Sequence, residues 1–179
     1  MLLEICIQNR VSLIIPTIDT ELMILSKNHK RFSAINVEIA LSTEKFIEIC
    51  DNKLNTYHLF KEMNVSFPKI YSKQKYELPI FIKPIIGSSS HDNYIVKNKN
   101  QISNHHIESK KLQFFEYLDH DVYDEYTCDL YYNKSNELKC AIPRKRIETR
   151  GGEVSKGLTQ KNEVKAFIDE KFSFLKVPE

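Results

Sequence analysis

The sequence lacks a long apolar run, an excess of charge of one sign and the features of a secretory signal at its start. Its longest apolar segments, such as residues 13–15, are far shorter than the roughly 20 residues that a membrane helix needs. Its 26 lysines and arginines nearly balance its 24 aspartates and glutamates, which leaves a net charge of +2. This balance gives no electrostatic reason to expect nucleic acid or an anionic membrane as a partner. We therefore predict a cytoplasmic globular protein that binds neither.

The cysteines and histidines show none of the spacings that hold metals or form a dense disulfide scaffold. The four cysteines stand singly and far apart, and the six histidines have no partners at metal-ligand spacing. We predict that the histidines lie at the surface. The cysteines, which are Cys6, Cys50, Cys128 and Cys140, are expected to be buried reduced thiols.

Residues 1–50 show a β-α-β pattern. A short helix is predicted over residues 2–9, followed by the apolar, β-branched run 11–17, which is typical of a strand covered on both faces. Asp19 is a candidate cap for a helix over residues 20–30, and alternating apolar residues then predict a strand over 37–41. The chain therefore opens as an α/β protein.

The rest of the chain predicts an α+β arrangement. Ser42 and Asp51 are candidate caps for two further helices. Mainly strand patterns follow from Pro79 onward, and Asn133–Asn136 reads as the loop of an antiparallel hairpin. The predicted strands cover residues 81–86, 94–96, 112–118, 125–132 and 138–146; a polar helix is predicted within 102–110 and a last helix over 162–174.

The segment 79–90 is the strongest candidate for a phosphate site. An apolar strand leads into Lys83 and Pro84 and then into the small residues Gly87, Ser88, Ser89 and Ser90. A polyphosphate needs positive charge and backbone N–H groups that approach closely, and a lysine at a strand end with a small-residue loop provides both. The alternative is a strand followed by an ordinary polar turn, because one glycine is a weak signal.

Two glutamates are candidates for binding a nucleoside. Glu116 ends an apolar strand, where its carboxylate can accept from an adenine amino group beside the backbone of Tyr117 and Leu118. Glu125 follows after a short loop and can accept from both ribose hydroxyls. Either acid can equally be a solvated surface charge. Lys53, close to the start of a predicted helix, can likewise be an ordinary exposed lysine.

A basic cluster at residues 144–150 suggests an anion clamp. Strand alternation places Arg144 and Arg146 on one face and Lys145 on the other. Two guanidinium groups on a common face suit a phosphate or a carboxylate. A short nucleic-acid patch is the competing interpretation, although apolar and acidic neighbours dilute the cluster.

These segments, in this order along the chain, resemble the ATP-grasp domain, nearest to the type found in the large subunit of carbamoyl phosphate synthase. The segment 13–22 also resembles the end of the Rossmann-like domain that precedes ATP-grasp in such proteins. The resemblance implies a partial Rossmann-like lobe over residues 1–50 and an incomplete ATP-grasp domain over 51–179, with a lid lobe over about 75–115. The matching segments are Asp51–Lys53, Phe81–Pro84 with Gly87–Ser90, Phe115–Leu118, Glu125–Asp129 and Pro143–Arg146.

The resemblance also implies roles for these residues. Lys53 and Lys83 would contact the phosphates of ATP, the loop Gly87–Ser90 would close over them, and Arg144 and Arg146 would face the phosphate or the acyl substrate. Glu116, Tyr117 and Leu118 would hold adenine, and Glu125 would hold ribose. Family members phosphorylate a small carboxylate, with Mg²⁺ on the phosphate oxygens, and an amine or similar nucleophile then attacks the acylphosphate.

The sequence departs from the family pattern in several places, one of which is a longer loop between Leu118 and Glu125. Serines occupy the phosphate loop where the family usually carries more glycine, the acidic strand that binds magnesium is expected beyond the last helix, and the front domain normally supplies earlier strands. A two-stranded parallel sheet would leave its edges unpaired. We therefore predict a fragment, whose site a second chain or a second copy would complete. The alternative is a non-catalytic interaction or regulatory module that keeps the fold.

Overall fold

The computed structural model describes residues 1–87, 91–150, 153–173 and 175. Within these residues the chain forms two compact units, which divide between Asn52 and Lys53. None of the helices in the described ranges has the length and apolar content that a membrane crossing requires.

The first unit is built on a short parallel sheet. Strands β1 (Leu13–Ile14) and β2 (Glu38–Ile39) pair in parallel, with Ile14 opposite Ile39. The α/β prediction for this part of the chain is confirmed. The helices are α1 (Leu2–Gln8), α2 (Asp19–Lys27), α3 (His29–Ser33) and α4 (Glu44–Asp51), and the buried core consists of Cys6, Leu25, Phe32, Val37 and Ile39.

Several predicted boundaries in this unit were wrong. Strand β1 is much shorter than the apolar run 11–17, in which Pro16 provides no N–H for a ladder. Asp19 is the first residue of α2 and not its cap, which is Ile18. Thr43 caps α4 in place of Ser42, because its Oγ1 accepts from the N–H of Phe46 at 3.3 Å. Asp51 is the last residue of α4, and the following helix begins two residues later, at Lys53.

The second unit begins with helix α5 (Lys53–Glu62) and an antiparallel sheet. The sheet has the order β3-β6-β4-β5, with β3 at Ile70–Tyr71, β4 at Ile80–Pro84, β5 at Tyr94–Val96 and β6 at Leu112–Glu116. Helix α6 (Asn104–Glu108) lies between β5 and β6 in the sequence. One face of the sheet forms a dry core with Ile80, Ile82, Val96, Leu112 and Phe114, each at most 3% exposed.

A second antiparallel sheet follows in the same unit. It has the order β7-β8-β9, with β7 at Tyr126–Tyr132, β8 at Leu138–Arg150 and β9 at Glu153–Thr159. The predicted hairpin is confirmed: Asn133 Oδ1 accepts from the N–H groups of Ser135 at 3.0 Å and Glu137 at 2.9 Å. Helix α7 (Glu163–Phe172) is capped by Asn162, and Tyr132 donates its hydroxyl hydrogen to the Phe172 carbonyl at 2.7 Å.

The prediction of buried cysteines and surface histidines was only partly right. Cys6 is buried, Cys128 is half-buried, and Cys50 and Cys140 are exposed. His106, in contrast, is buried. Its Nδ1 accepts from the Ser103 N–H at 3.3 Å, and its ring packs against Tyr94 with the centroids 4.5 Å apart. Burial, and then the neighbouring His105, lower the pKa of His106.

Candidate functional site

Lys83 lies on the face of β4 opposite the dry core. The alternation of β4 places Ile80 and Ile82 in the core and turns Phe81 and Lys83 to the other side. The Lys83 ammonium stands over two aromatic rings, 4.8 Å from the Phe115 centroid and 5.5 Å from that of Phe81. The Lys83 side chain thus lies against two aromatic rings near the end of β4.

The electrostatics of Lys83 show which charges are near it. Burial lowers the pKa of Lys83, the positive charge of Lys53 lowers it further, and Glu125 acts in the opposite direction. Lys53 and Glu125, which are far from Lys83 along the chain and were also predicted as site residues, therefore both lie within electrostatic reach of Lys83.

Lys53 is tied to the chain that follows β4. As the first residue of α5, it donates its backbone N–H to the Ile85 carbonyl at 3.0 Å and its ammonium to the Gly87 carbonyl at 3.1 Å. The start of α5, the end of β4 and Gly87 are thereby joined. Ser88, Ser89 and Ser90, which the sequence places in the phosphate loop, lie outside the described residues.

Gly87 has a backbone conformation that other residues rarely adopt, with φ at +146°. An added Cβ would lie 3.6 Å from Pro84 Cβ, an ordinary contact, so strain and not crowding would oppose a side chain. We expect Gly87→Ala to lower the free energy of unfolding by about 1–2 kcal/mol, measured by urea denaturation. The exposed neighbour Ile86 provides the control: if Ile86→Ala costs as much as Gly87→Ala, backbone strain is not the cause.

Glu116 lies away from Lys83. It is paired with Ile80 across β6 and β4, and paired residues share a face, so Glu116 lies on the side of the sheet opposite Lys83. Its Oε2 accepts from the Lys69 N–H at 3.0 Å, and its own N–H donates to the Lys69 carbonyl at 2.8 Å. Tyr117 and Leu118 follow the end of β6. The structure does not bring Glu116 to the two lysines, and the adenine contact stays a prediction.

Glu125 and Arg146 form an ion pair beside a cavity. Arg146 Nη1 donates to Glu125 Oε1 at 2.8 Å, and the Arg146 N–H donates to the Glu125 carbonyl at 2.8 Å. Both residues line a cavity of about 360 Å³. The other lining residues are His120, Tyr123, Asp124, Ile147, Glu148 and Thr149.

The remaining basic residues of β8 also have acidic partners. Arg144 donates through Nε and Nη2 to the two oxygens of Asp129, at 2.7 and 3.2 Å. Lys145, which the alternation predicts on the other face, pairs with Asp124 at 2.6 Å, and this hydrogen bond raises the pKa of Lys145. Whether Arg144 and Arg146 face a substrate stays a prediction.

Several residues around this cavity were not predicted from the sequence. His120 and Tyr123 lie in an irregular loop, where no periodicity predicts orientation, and Thr149 lies on the part of β8 beyond the predicted end of the strand. In the described ranges of the chain, no group of three or more His, Cys, Asp or Glu side chains is arranged to hold a metal ion.

Comparison with known proteins gives matches at the level of sequence and of fold. Residues 1–40 match the family described as PylC-like, N-terminal domain. No curated protein sequence matches the chain.

Solved structures match nearly the whole chain. The biotin carboxylase domain dimer of Hydrogenobacter thermophilus 2-oxoglutarate carboxylase, in complex with MgADP, ADP and bicarbonate, is 11% identical with a TM-score of 0.66, over 86% of this chain and 38% of that one. The L-amino acid ligase of Bacillus licheniformis is 13% identical with a TM-score of 0.63, over 95% and 42% of the two chains. An Archaeoglobus fulgidus protein assigned to the ATP-grasp superfamily is 14% identical with a TM-score of 0.56, over 84% and 43%.

The chain thus spans about two-fifths of the length of each of these structures. At such low identity the likeness concerns the fold, which is mixed α and β as the sequence predicted. The chain has the fold of the ATP-grasp superfamily.

Proposed function

We propose that the chain binds the triphosphate of ATP with Lys53 and Lys83. The observation that carries this proposal is the convergence of two ammonium groups at the end of β4, one of them half-buried against aromatic rings. Two like charges held close together in a partly desolvated place oppose each other. A polyanion offsets this repulsion, and Gly87 beside them, which has no side chain, lets the backbone approach the ligand closely.

The nucleoside part of ATP fits the surroundings of Glu125. This carboxylate lies close enough to Lys83 to oppose the lowering of its pKa, and it lines the cavity of about 360 Å³. A carboxylate accepts hydrogen bonds from hydroxyl groups, so Glu125 is the acceptor that we assign to the ribose. The two lysines and Glu125 would then contact one ligand along its length.

The reaction class that we propose is carboxylate–amine ligation through an acylphosphate. The solved structures with this fold include an L-amino acid ligase and a carboxylase domain that holds MgADP and bicarbonate, which supports ATP and a small carboxylate as ligands here. Magnesium would neutralise phosphate oxygens when bound. The proposal has three further parts. The chain is nearest to the carbamoyl phosphate synthase type, it lies in the cytoplasm, and a second chain or copy completes its site.

Calorimetric titration of the 179-residue chain with ATP and, separately, with inorganic tripolyphosphate, both with magnesium present, tests the nucleotide proposal. We expect both ligands to bind, ATP more tightly, and both affinities to fall as salt is added, because charge supplies much of the attraction. If neither ligand binds at low salt, the proposed function is wrong. ATP hydrolysis that depends on an added carboxylate would support a ligase, whereas binding without any turnover would favour the non-catalytic module.

A further inference from the structure

Arg146 is placed differently from the other arginines of β8. Its side chain is 20% exposed, compared with 37% for Arg144 and 81% for Arg150. It holds Glu125 through two groups, since its Nη1 donates to Glu125 Oε1 and its backbone N–H to the Glu125 carbonyl, both at 2.8 Å. Arg146 therefore fixes the main chain and the carboxylate of Glu125 relative to β8.

This arrangement orients the two oxygens of Glu125 differently. Oε1 accepts from Arg146, while Oε2 lies 3.9 Å from His120 Nδ1, which is beyond hydrogen-bonding distance. Glutamate side chains lose much rotamer freedom when they are ordered. An arginine that has already ordered the carboxylate reduces the entropy that a ligand must otherwise supply on binding.

We propose that Arg146 is a positioning residue, which holds Glu125 in the orientation that accepts the ribose hydroxyls and makes the site selective for ATP over inorganic polyphosphate. This inference rests on the proposed nucleotide site. It gives Arg146 a role through Glu125 and not through direct contact with a phosphate or an acyl group. The cavity that both residues line is the place where the nucleoside would lie.

The ratio of ATP affinity to tripolyphosphate affinity distinguishes the two roles. The full chain and its Glu125→Gln, Arg146→Met and doubly substituted variants are titrated with both ligands, with magnesium present. We expect each single variant to bind ATP about 10-fold more weakly, since a hydrogen bond to a charged group is lost, and to bind tripolyphosphate within about 2-fold of the unchanged chain. The double variant should bind ATP no more weakly than either single variant, because both substitutions remove the same contact.

The ion pair between Lys165 and Asp169 of α7 provides the control. Its atoms lie 2.5 Å apart in the same unit, and neither residue lines the cavity. Lys165→Met and Asp169→Asn should leave the affinity ratio unchanged, and circular dichroism checks that all variants are folded. The inference is overturned if Arg146→Met weakens tripolyphosphate as much as ATP, or if the losses of the single variants add in the double variant. An unchanged chain that binds neither ligand instead overturns the proposed nucleotide site, and the inference with it.

Discussion

Phe114→Ala is expected to lower the free energy of unfolding of the second unit by about 3–5 kcal/mol, the usual cost of truncating a buried phenylalanine. Phe114 is fully buried in the core of the first antiparallel sheet, where it packs with Ile80, Ile82 and the edge of Tyr76, whose ring centroid is 5.4 Å away. A loss of this size is a large part of the total stability of a domain of this size. Amide hydrogen exchange in β4 and β6 during urea titration measures it in this unit alone.

Two further variants provide controls for this expectation. Phe114→Leu removes less volume and should cost about 1–2 kcal/mol, which keeps the variant folded if the alanine variant is not. Phe167 on α7 is 42% exposed, so Phe167→Ala should cost under about 1 kcal/mol. If Phe114→Ala and Phe167→Ala destabilise the unit equally, the first sheet is not where the stability of this unit lies.

The same core shows why this part of the fold was predictable from the sequence. Ile80 and Ile82 alternate with Phe81 and Lys83, and this period of two is the direct mark of a strand with one buried face. The hairpin at Asn133 was equally predictable, because the turn residues and the patterns of the flanking strands both indicate a hairpin. Where the hydrophobic pattern and the turn residues agree, the sequence is sufficient to predict the element.

Strand β9 and the C-terminal end of β8 show where the sequence is insufficient. Glu153–Thr159 carries few apolar residues and includes Gly157, so its strand conformation comes from pairing with β8 and not from its own propensity. The start of helix α2 was misplaced by one residue because Asp19 has the chemistry of a cap yet lies inside the first turn. Pairing with β8 determined the conformation of β9, and competition between neighbouring residues for the cap position determined the start of α2.

The candidate site likewise has a part that the sequence predicts and a part that only the structure shows. Lys53, Lys83 and Glu125 were predicted from motifs, and in the structure Lys53 and Glu125 both lie within electrostatic reach of Lys83. The acidic partners of the arginines could not be predicted from the sequence. The pairing of Arg146 with Glu125 depends on the conformation of the loop that leads into β7, and no sequence pattern predicts that conformation. The face of Glu116 likewise became known only from the register of β6 against β4.

Lys83→Met is expected to have opposite effects on ligand binding and on the stability of the ligand-free chain. Methionine fills similar space over the Phe81 and Phe115 rings but carries no charge. We expect the affinity for ATP to fall about 30-fold, or about 2 kcal/mol, since a partly buried charge that faces the phosphates is removed. Lys99, which is exposed on a short 3-10 turn, provides the control, and Lys99→Met should bind ATP as the unchanged chain does.

The effect on stability follows from the sign of the pKa shift. Burial, and then Lys53, lower the pKa of Lys83 in the folded chain despite Glu125. Between that lowered pKa and the ordinary lysine value of about 10.4, the unfolded chain binds more protons than the folded one. This residue's contribution to stability therefore rises with pH through that window, and below the window the folded chain bears the full cost of the charge.

Near neutral pH, Lys83→Met should therefore be at least as stable as the unchanged chain, and its advantage should shrink as the pH approaches the ordinary lysine pKa. Urea denaturation of both proteins at pH 7 and at pH 10 measures this difference, in which the titration of all other groups cancels. ATP binding should also raise the pKa of Lys83, so calorimetry in two buffers of different ionisation enthalpy should detect proton uptake at alkaline pH that the variant lacks. A variant that is less stable than the unchanged chain at pH 7 and binds ATP equally well would show that Lys83 serves packing and not the phosphates.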